Sequence, residues 1–409
     1  MAKPRLLPFR ALRYDADRVG PLSDIVCPPY DVIAREEQVW LHSQHPLNAV
    51  RLEHPLPARA PGDEARFAQA RDTMRQWLDQ GILRSDERPA IYIYRQRFQS
   101  RQGLMDRWGF FCLLGLADYS AGEVLPHEGT MARPKSQRTT LLRICQAHFS
   151  PIMCLYQSEQ DARRILQGLA TSDPLIQTDN EQDTVWIATD QQQIQAIISC
   201  VSSPVLIADG HHRYEAALAY RSEAADPTDA GAAANYILAV LIEARDPGLV
   251  ILPAHRMVRF GAGQRAHLER QIAEHCTAAP VGGLGEIERG VAGGAGVGWF
   301  DLEHGYRLLT FKRPPEPTHL DALHNLLLDP AVREEGGGSL AYVVGDEQAV
   351  GMVQRGEFDA AILVPALPVN TVVQGAIRRL RFPKKATYFY PKLPAGLIMS
   401  LTGADWRVP

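Results

Sequence analysis

The sequence lacks the patterns that mark several large protein classes. Its six cysteines form no C-x-x-C pair and show no cysteine–histidine spacing typical of a zinc site, so we expect reduced thiols. No apolar run approaches the ~20 residues that a membrane span needs. None follows the N-terminal Met-Ala-Lys-Pro-Arg as it would in a signal peptide. These absences predict a cytoplasmic protein that does not act in a membrane.

A basic excess is absent as well. The 409 residues include 43 Lys and Arg against 47 Asp and Glu, which gives a formal net charge of −4. Nucleic-acid-binding proteins usually carry excess positive charge, often as a stripe on one face. Neither such a stripe nor a helix-turn-helix pattern stands out, so the sequence argues against a nucleic-acid partner. With 45% hydrophobic and 22% charged residues, the chain has the composition of a globular protein.

The chain is too long for one ordinary core, so two or three domains are expected. Residues 276–298 form a glycine-rich stretch, which predicts a flexible linker or loop at a domain boundary. This stretch matches neither G-x-x-x-x-G-K-[ST] nor G-x-G-x-x-G, so we do not interpret it as a nucleotide loop. We therefore predict an N-terminal region at 1–275 and a C-terminal α/β region at 299–409.

Helical and strand patterns alternate along the chain and predict a mixed α/β fold. Apolar residues at helical spacing predict a helix over 65–78. Apolar and β-forming runs predict strands at 91–94 and 204–208. A short strand is also predicted at 23–27, before a proline-rich loop, and a helix is predicted to begin near Thr139.

The densest group of chemically active side chains is Asp209-Gly210-His211-His212-Arg213, which we call the box. An apolar strand leads into a glycine turn, and a helix follows at once. The N–H groups and dipole of such a helix start suit a phosphate, and Arg213 adds a planar, permanently charged fork. The two histidines can add donors, and Gly210 permits close approach of a ligand. Asp209 fits the role of metal ligand or of base for a substrate hydroxyl.

A structural interpretation of the same residues stays open. In it, Asp209 caps the helix and Arg213 pairs with a nearby carboxylate. Two histidines, an arginine and an aspartate within five residues favour a binding site.

The box, extended to Tyr214, resembles the D-G-H-x-R box of the free serine kinases, which are members of the ParB/sulfiredoxin-like superfamily. This resemblance implies that Gly210 to Arg213 bind nucleotide phosphates and that Asp209 is the catalytic base. It also implies a ParB/sulfiredoxin-like core ahead of the glycine-rich stretch, with an additional α/β region after it.

Nearly the whole chain resembles a large bacterial family, the domain of unknown function numbered 1015. The resemblance is carried by short segments at 8–11, 26–32, 48–52, 125–130, 209–214, 246–249, 252–256 and 387–393. The family implies no activity, so the predicted function depends on the box.

Residues 125–130 offer a second set of candidates. A kinase of this type needs another acidic residue, and Glu128 is our candidate; the alternative is a carboxylate that caps the following helix. His127, beside it, is a candidate substrate contact. Lys135 and Arg138 would neutralise phosphate charge during transfer, or they belong to a solvated basic loop.

Three further segments contain candidate binding residues. Tyr30 could stack on a base and Asp31 could bind an amino group, unless the loop is a structural corner in which Asp31 caps the next helix. His255 and Arg256 follow a strand-like run and could face the ligand; a surface ion pair fits equally well. The aromatic cluster at 388–390, flanked by lysines, predicts a packed strand in preference to a nucleic-acid surface.

These features predict a small-molecule kinase that moves a phosphoryl group from ATP or ADP to the hydroxyl of free serine or a similar compound, with Mg²⁺. Two alternatives stay open: a ParB-like nucleotide-binding regulator without phosphotransfer, and a phosphatase or nucleotidase at the same site. The expected partners are a small-molecule substrate and a nucleotide. The sequence leaves homo-oligomerisation and the metal ligands open.

Overall fold

The computed structural model describes residues 3–58, 62–129, 132–332, 337–403 and 406–408 of the chain, without the side chains of 132 and 133. Thr130, the last residue of the segment 125–130, lies outside these ranges. The protein is a mixture of helices and sheets, so the predicted mixed α/β class is confirmed. Within the described ranges, no helix combines the length and apolar character needed to cross a membrane.

The strands and helices have the following bounds. The strands are β1 Leu6–Leu7, β2 Leu12–Tyr14, β3 Leu83–Ser85, β4 Ile91–Ser100, β5 Gly103–Gly115, β6 Val124–Leu125, β7 Ala147–His148, β8 Ile152–Tyr156, β9 Ile176–Gln177, β10 Asp183–Ala188, β11 Val205–Asp209, β12 Tyr236–Glu243, β13 Val250–Leu252, β14 Ala254–Arg259, β15 Cys276–Pro280, β16 Val297–Asp301, β17 Gly305–Phe311, β18 Ser339–Val344, β19 Ala360–Leu363, β20 Tyr388–Tyr390 and β21 Ser400–Leu401. The helices are α1 Ala16–Val19, α2 Leu22–Ile25, α3 Arg35–Gln44, α4 Val50–Glu53, α5 Asp63–Asp79, α6 Ala132–Cys145, α7 Ala162–Leu169, α8 Gln191–Ser199, α9 His211–Ala224, α10 Gln264–His275, α11 Leu284–Ala292, α12 His319–Ala322, α13 Asp329–Ala331, α14 Asp346–Gln354 and α15 Val369–Ile377.

The chain divides into two compact units. The first unit comprises Met1–Leu249, Ala376–Arg379 and Pro391–Pro409, and the second comprises Val250–Gly375 and Leu380–Tyr390. The glycine-rich stretch at 276–298 lies in the second unit and carries β15, α11 and the start of β16. The domain boundaries that we place at 275 and 298 stay a prediction.

A nine-stranded sheet organises the first unit. Its order is β6-β11-β8-β12-β5-β4-β10-β9, and β1 pairs with β5. The pairs β6–β11 and β8–β12 are parallel, whereas β11 runs antiparallel to β8. Since neighbouring parallel strands end at the same edge of a sheet, the residues that follow β6 lie beside the residues that follow β11. This pairing brings the segment after Leu125 to the box.

The centre of this sheet is covered on both faces. All five residues of β8 are buried, and so are the first seven residues of β12. This explains why both strands consist almost wholly of apolar residues and show no alternation. Helices α6 and α9 pack against each other beside the sheet. The box therefore starts a helix that is held by a buried framework.

The second unit is built on a six-stranded sheet of order β15-β17-β16-β19-β14-β18, in which every pair is antiparallel. A separate two-stranded sheet pairs β13 with β20. The predicted packed strand at Tyr388–Tyr390 is thereby confirmed, and its central Phe389 is 1% exposed.

Two predictions of local structure are wrong. Residues 22–25 form a helical turn in place of a strand; it follows Pro21, whose carbonyl accepts a hydrogen bond from the N–H of Asp24. Helix α6 begins at Ala132 and not near Thr139. Its Pro134 lies in the first turn, where a missing N–H interrupts no helical bond. Lys135 and Arg138 consequently lie on a helix and not in a basic loop.

Candidate functional site

The box has the predicted strand–turn–helix form. Strand β11 ends at Asp209, Gly210 is left-handed (φ 94°, ψ 28°), and α9 begins at His211. A Cβ at Gly210 would lie 2.7 Å from Cγ2 of Ile152 and 3.0 Å from Nε of Arg213. Both the backbone conformation and the surrounding space therefore require glycine at this position.

Asp209 contacts two cations. Its Oδ2 accepts a hydrogen bond from Nη2 of Arg213 at 2.6 Å, and its Oδ1 accepts one from Nζ of Lys392. Arg213 also donates from Nη1 to the carbonyl of Pro151. The ion pair expected in the structural interpretation of the box is thus present, with Asp209 itself as the carboxylate. Asp209 does not cap α9, because Gly210 is the N-cap residue.

Other acids act on Arg213 as well. Burial of its guanidinium would lower the pKa of Arg213, but the charges of Asp209, Asp31 and Glu53 outweigh burial and raise it. The side chain is 8% exposed, so charges in this region are little screened by solvent. Asp31, from the N-terminal proline-rich loop, therefore belongs to the same electrostatic environment as the box. It does not cap α3, whose N-cap residue is Ala34.

Glu128 reaches the box through His211. The backbone N–H of His127 donates to Nε2 of His211 at 3.4 Å, so the neutral ring carries its proton on Nδ1. That atom lies 3.8 Å from Oε1 of Glu128. The His127 ring is fully buried, donates from Nδ1 to the carbonyl of Ile207 at 2.8 Å, and meets the His211 ring edge-on at 4.8 Å. The candidates from the segment 125–130 and from the box thus form one group.

A second cluster contains Tyr30, Glu53 and Arg138. The Arg138 guanidinium lies 3.9 Å from the centre of the Tyr30 ring, and its Nη1 lies 3.5 Å from Oε1 of Glu53. The same Oε1 accepts hydrogen bonds from the Tyr30 N–H at 3.4 Å and from Ser150 Oγ at 3.1 Å. Burial is the largest effect on the Tyr30 hydroxyl and raises its pKa. The positive charge of Arg138 has a smaller effect that lowers it.

A small cavity is lined by residues of this cluster and by Arg213 of the box. It has a volume of about 30 Å³, and its walls include Glu53, Arg138, Ser150 and Arg213. That volume suits a single water molecule and no substrate. Arg138 and Arg213 both line this cavity. The charges of Asp31 and Tyr30 act on Arg213 as well, so these three sequence candidates lie near the box.

Lys135 contacts α9, and His212 is part of it. Nζ of Lys135 on α6 is 3.5 Å from Oε2 of Glu215 on α9, and the Lys135 side chain is 42% exposed. His212 is half-buried in the first turn of α9. Their roles in phosphate binding stay predictions.

His255 and Arg256 belong to the second unit. Both are almost wholly buried on β14 and not at the surface. Nε2 of His255 lies 3.0 Å from Oδ1 of Asp346, while Arg256 donates to Nε2 of His324 at 3.3 Å and to the carbonyl of Lys384 at 3.2 Å. These contacts hold the second unit together; the predicted contact with substrate stays untested by them.

One group among the described residues has the spacing of a metal site: Glu269, Asp301 and His304, in the second unit. Arg307 donates to Glu269 at 2.8 Å and to Asp301 at 3.3 Å, and Trp299 donates to Asp301 at 2.5 Å. Because the Arg307 charge already offsets both carboxylates and Trp299 occupies an oxygen of Asp301, the group does not fit a divalent cation.

Sequence reasoning missed two residues, Glu53 and Lys392. Glu53 directly follows the family segment 48–52, and Lys392 lies within the segment 387–393. Neither stands beside another chemically active residue in a recognisable pattern. The one available signal was that Glu53 lies next to a family segment and Lys392 lies inside one.

Comparison with known proteins identifies the family. The family described as "Protein of unknown function (DUF1015)" matches residues 6–367, and the chain belongs to it. No curated protein matches the chain.

Several solved structures resemble the chain remotely, each over 73% of its length. A conserved hypothetical protein from Pyrococcus furiosus is 14% identical, with a TM-score of 0.43 and 96% of that protein covered. A variant of free serine kinase in complex with ADP is 12% identical, with a TM-score of 0.41 and 90% covered. SbnI from Staphylococcus aureus, with a C-terminal truncation, is 10% identical, with a TM-score of 0.39 and 87% covered. Because these TM-scores are below 0.5, we draw no conclusion about this chain from the similarities.

Proposed function

We propose that the protein is a small-molecule kinase, which transfers a terminal phosphoryl group from ATP or ADP to the hydroxyl of free serine or a similar compound. The observation that carries this proposal is the meeting of Glu128 and the box through His211. Phosphoryl transfer needs a carboxylate to take the hydroxyl proton and cations to stabilise phosphate charge. We assign the first role to Asp209, with Glu128 in support, and the second role to Arg213.

The start of α9 is the proposed phosphate site. The helix dipole places partial positive charge there, and Gly210 has no side chain that would cover the first turn. Helix starts of this kind bind phosphate in many proteins. The resemblance of the box to that of the free serine kinases supports the same assignment.

Asp209 is the proposed base. The acceptor hydroxyl gives its proton to the Asp209 carboxylate, and the hydroxyl oxygen forms a bond to the terminal phosphorus. The bond between that phosphorus and the bridging oxygen breaks, and its electron pair leaves with the nucleotide. Glu128, with His211 beside it, assists at the acceptor.

The acidic residues around the box offer few oxygen ligands for Mg²⁺. Both oxygens of Asp209 contact cations, so Glu128 is the carboxylate that would hold the ion. When bound with the nucleotide, Mg²⁺ offsets phosphate charge. The exposed carboxylate of Asp31 is the candidate partner for an amino group of the acceptor, with the half-buried Tyr30 beside it.

The test is to incubate the protein with Mg²⁺, ATP or ADP, and a panel of hydroxyl amino acids and hydroxy acids, and to follow the products by ³¹P NMR. We expect a new phosphomonoester with one acceptor. Asp209→Asn should abolish it while nucleotide affinity, measured by calorimetry, stays within about threefold. The control Asp72→Asn, at a side chain that is 63% exposed, should leave transfer intact. Absence of nucleotide binding by the wild-type protein would refute the proposal.

A further inference from the structure

Lys392 is delivered to the box from a distant part of the chain. Its Nζ contacts Oδ1 of Asp209, 183 positions away, and the two side chains are 11% and 14% exposed. Arg213 takes the other oxygen of the carboxylate. The candidate base therefore lies between two cations of different character.

The two cations differ in freedom of movement. Arg213 donates to the Pro151 carbonyl as well as to Asp209, so moving its guanidinium would leave a buried carbonyl without its donor. Lys392 carries a compact ammonium on a flexible four-carbon stem with three rotatable donors. Of the two, Lys392 can transfer its contact from Asp209 to an incoming phosphate at lower cost.

Two buried side chains hold the backbone at Lys392. Gln96 donates from Nε2 to the carbonyl of Lys392 at 3.2 Å, and Arg107 donates from Nη2 to the carbonyl of Pro391 at 2.7 Å. Gln96 and Arg107 face each other on β4 and β5, are 0% and 1% exposed, and are hydrogen-bonded together. Burying a guanidinium is costly unless its donors are used well. This arrangement positions the lysine far more firmly than an ordinary surface ion pair requires.

We propose that Lys392 is a phosphate-binding residue of this site. When the terminal phosphate of the nucleotide reaches the start of α9, the ammonium moves from Asp209 to a phosphate oxygen. Asp209 loses one of its two cations at that moment and becomes the stronger proton acceptor when phosphate is in place. This inference rests on the proposed kinase function and adds to it a coupling between nucleotide binding and activation of the base.

The test starts from the variant Asp209→Asn, which lacks the carboxylate that pairs with Lys392. Adding Lys392→Gln then removes the ammonium without breaking that ion pair. Affinities of both proteins for ATP and ADP are measured by calorimetry with Mg²⁺, and their folding is compared by thermal melting. We expect the double variant to bind at least about tenfold more weakly than Asp209→Asn alone. The control, Lys384→Met added to Asp209→Asn at an exposed side chain, should leave affinity unchanged.

The outcomes separate this inference from the proposed function. Equal affinity of Asp209→Asn and the double variant would make Lys392 a structural ion-pair partner and overturn the inference, with the kinase proposal untouched. Failure of the wild-type protein to bind either nucleotide would refute both. Should Lys392→Gln prevent folding, Lys392→Met in the same background also removes the charge but keeps the apolar stem, and an affinity equal to that of Asp209→Asn alone would overturn the inference.

Discussion

The carboxylate of Glu53 and the guanidinium of Arg138 form a buried ion pair beside the box, with 3.5 Å between Oε1 and Nη1. Their side chains are 2% and 5% exposed. Arg138 Nη1 also donates to the backbone carbonyl of Glu53 at 2.9 Å. Two charges can be buried in this way because each is paired with the opposite charge. The wall of the site therefore depends on both residues together.

Replacing Glu53 with alanine should destabilise the protein by about 3–5 kcal/mol, because a buried guanidinium would lose its carboxylate. The measurement is the free energy of unfolding in urea. The matched control is Glu223→Ala, which breaks a bidentate but exposed pair with Arg143 and should cost at most about 1 kcal/mol. Equal losses for the two variants would contradict the importance of burial.

Replacing Gly210 with alanine should also destabilise the protein, for two reasons that can be separated. The left-handed backbone costs about 1–2 kcal/mol for a residue with a Cβ, and the contact at 2.7 Å with Ile152 adds about 1–3 kcal/mol of overpacking. Gly263→Ala is the control, because Gly263 is also a left-handed N-cap residue (φ 74°, ψ −9°) and has nothing within 4 Å of its Cβ position. If the two variants lose equal stability, the packing part of this account is wrong.

His148 should make stability fall as the pH drops below about 6.5. Burial, with a smaller effect of the Arg213 charge and an opposing hydrogen bond to Tyr236, lowers the pKa of His148 to about 4. The unfolded chain therefore takes up a proton at a pH where the folded protein does not, and stability is lost between about pH 6.5 and 4. The loss should be on the order of 3 kcal/mol.

The measurement is urea unfolding of wild-type protein and His148→Gln between pH 7 and 4, and the difference between them isolates this residue. Asp183 changes stability in the opposite sense over part of that range. Burial raises its pKa to about 6, against hydrogen bonding by Tyr94 and the charge of Arg107. Stability from Asp183 therefore rises as the pH falls from about 6 to 4. A difference curve that is flat with pH would exclude the role given to His148.

Replacing Glu128 with glutamine should slow phosphoryl transfer by about 10²-fold or more, because Glu128 is proposed to assist Asp209 at the acceptor hydroxyl, and general base catalysis typically contributes this much. Combined with Asp209→Asn, it should slow the reaction no further, since groups that act as one unit are not additive. Glu123→Gln is the control; Glu123 lies before β6, at the opposite end of the same strand. Transfer rates that fall equally for both variants would remove Glu128 from the site.

The thiols should be unreactive in the folded protein. All six cysteines are buried and reduced, which agrees with the prediction from their spacing. Burial is the largest cause that raises the thiol pKa in every case, to about 12 for Cys145 and about 11 for Cys200 and Cys276. We expect fewer than one thiol per chain to react with Ellman's reagent under native conditions and all six in denaturant. Rapid labelling of the folded protein would show that a cysteine is exposed.

The sequence predicted the strand–turn–helix form of the box because every part of that form is local. An apolar run, a glycine and a helix-forming run fall within about twenty residues, and the structure joins them as expected. Glu53 and Lys392 could not be found in this way. Their partners Arg138 and Asp209 lie 85 and 183 positions away, and such contacts depend on sheet order, which no local pattern encodes. The start of α6 was predicted near Thr139, about two turns late, because the polar residues before Thr139 show no apolar periodicity.

Ile152 occupies the space in which a side chain at position 210 would have to lie, and this has a consequence for how the protein can evolve. A smaller residue at 152 would remove the contact with Cγ2, but the close contact with Nε of Arg213 and the left-handed backbone at 210 would remain. Position 152 can therefore vary among smaller side chains while 210 stays glycine, whereas 210 cannot vary first. A smaller residue at 152 is compatible with glycine at 210, whereas a side chain at 210 is not compatible with isoleucine at 152. Related sequences should show this asymmetry.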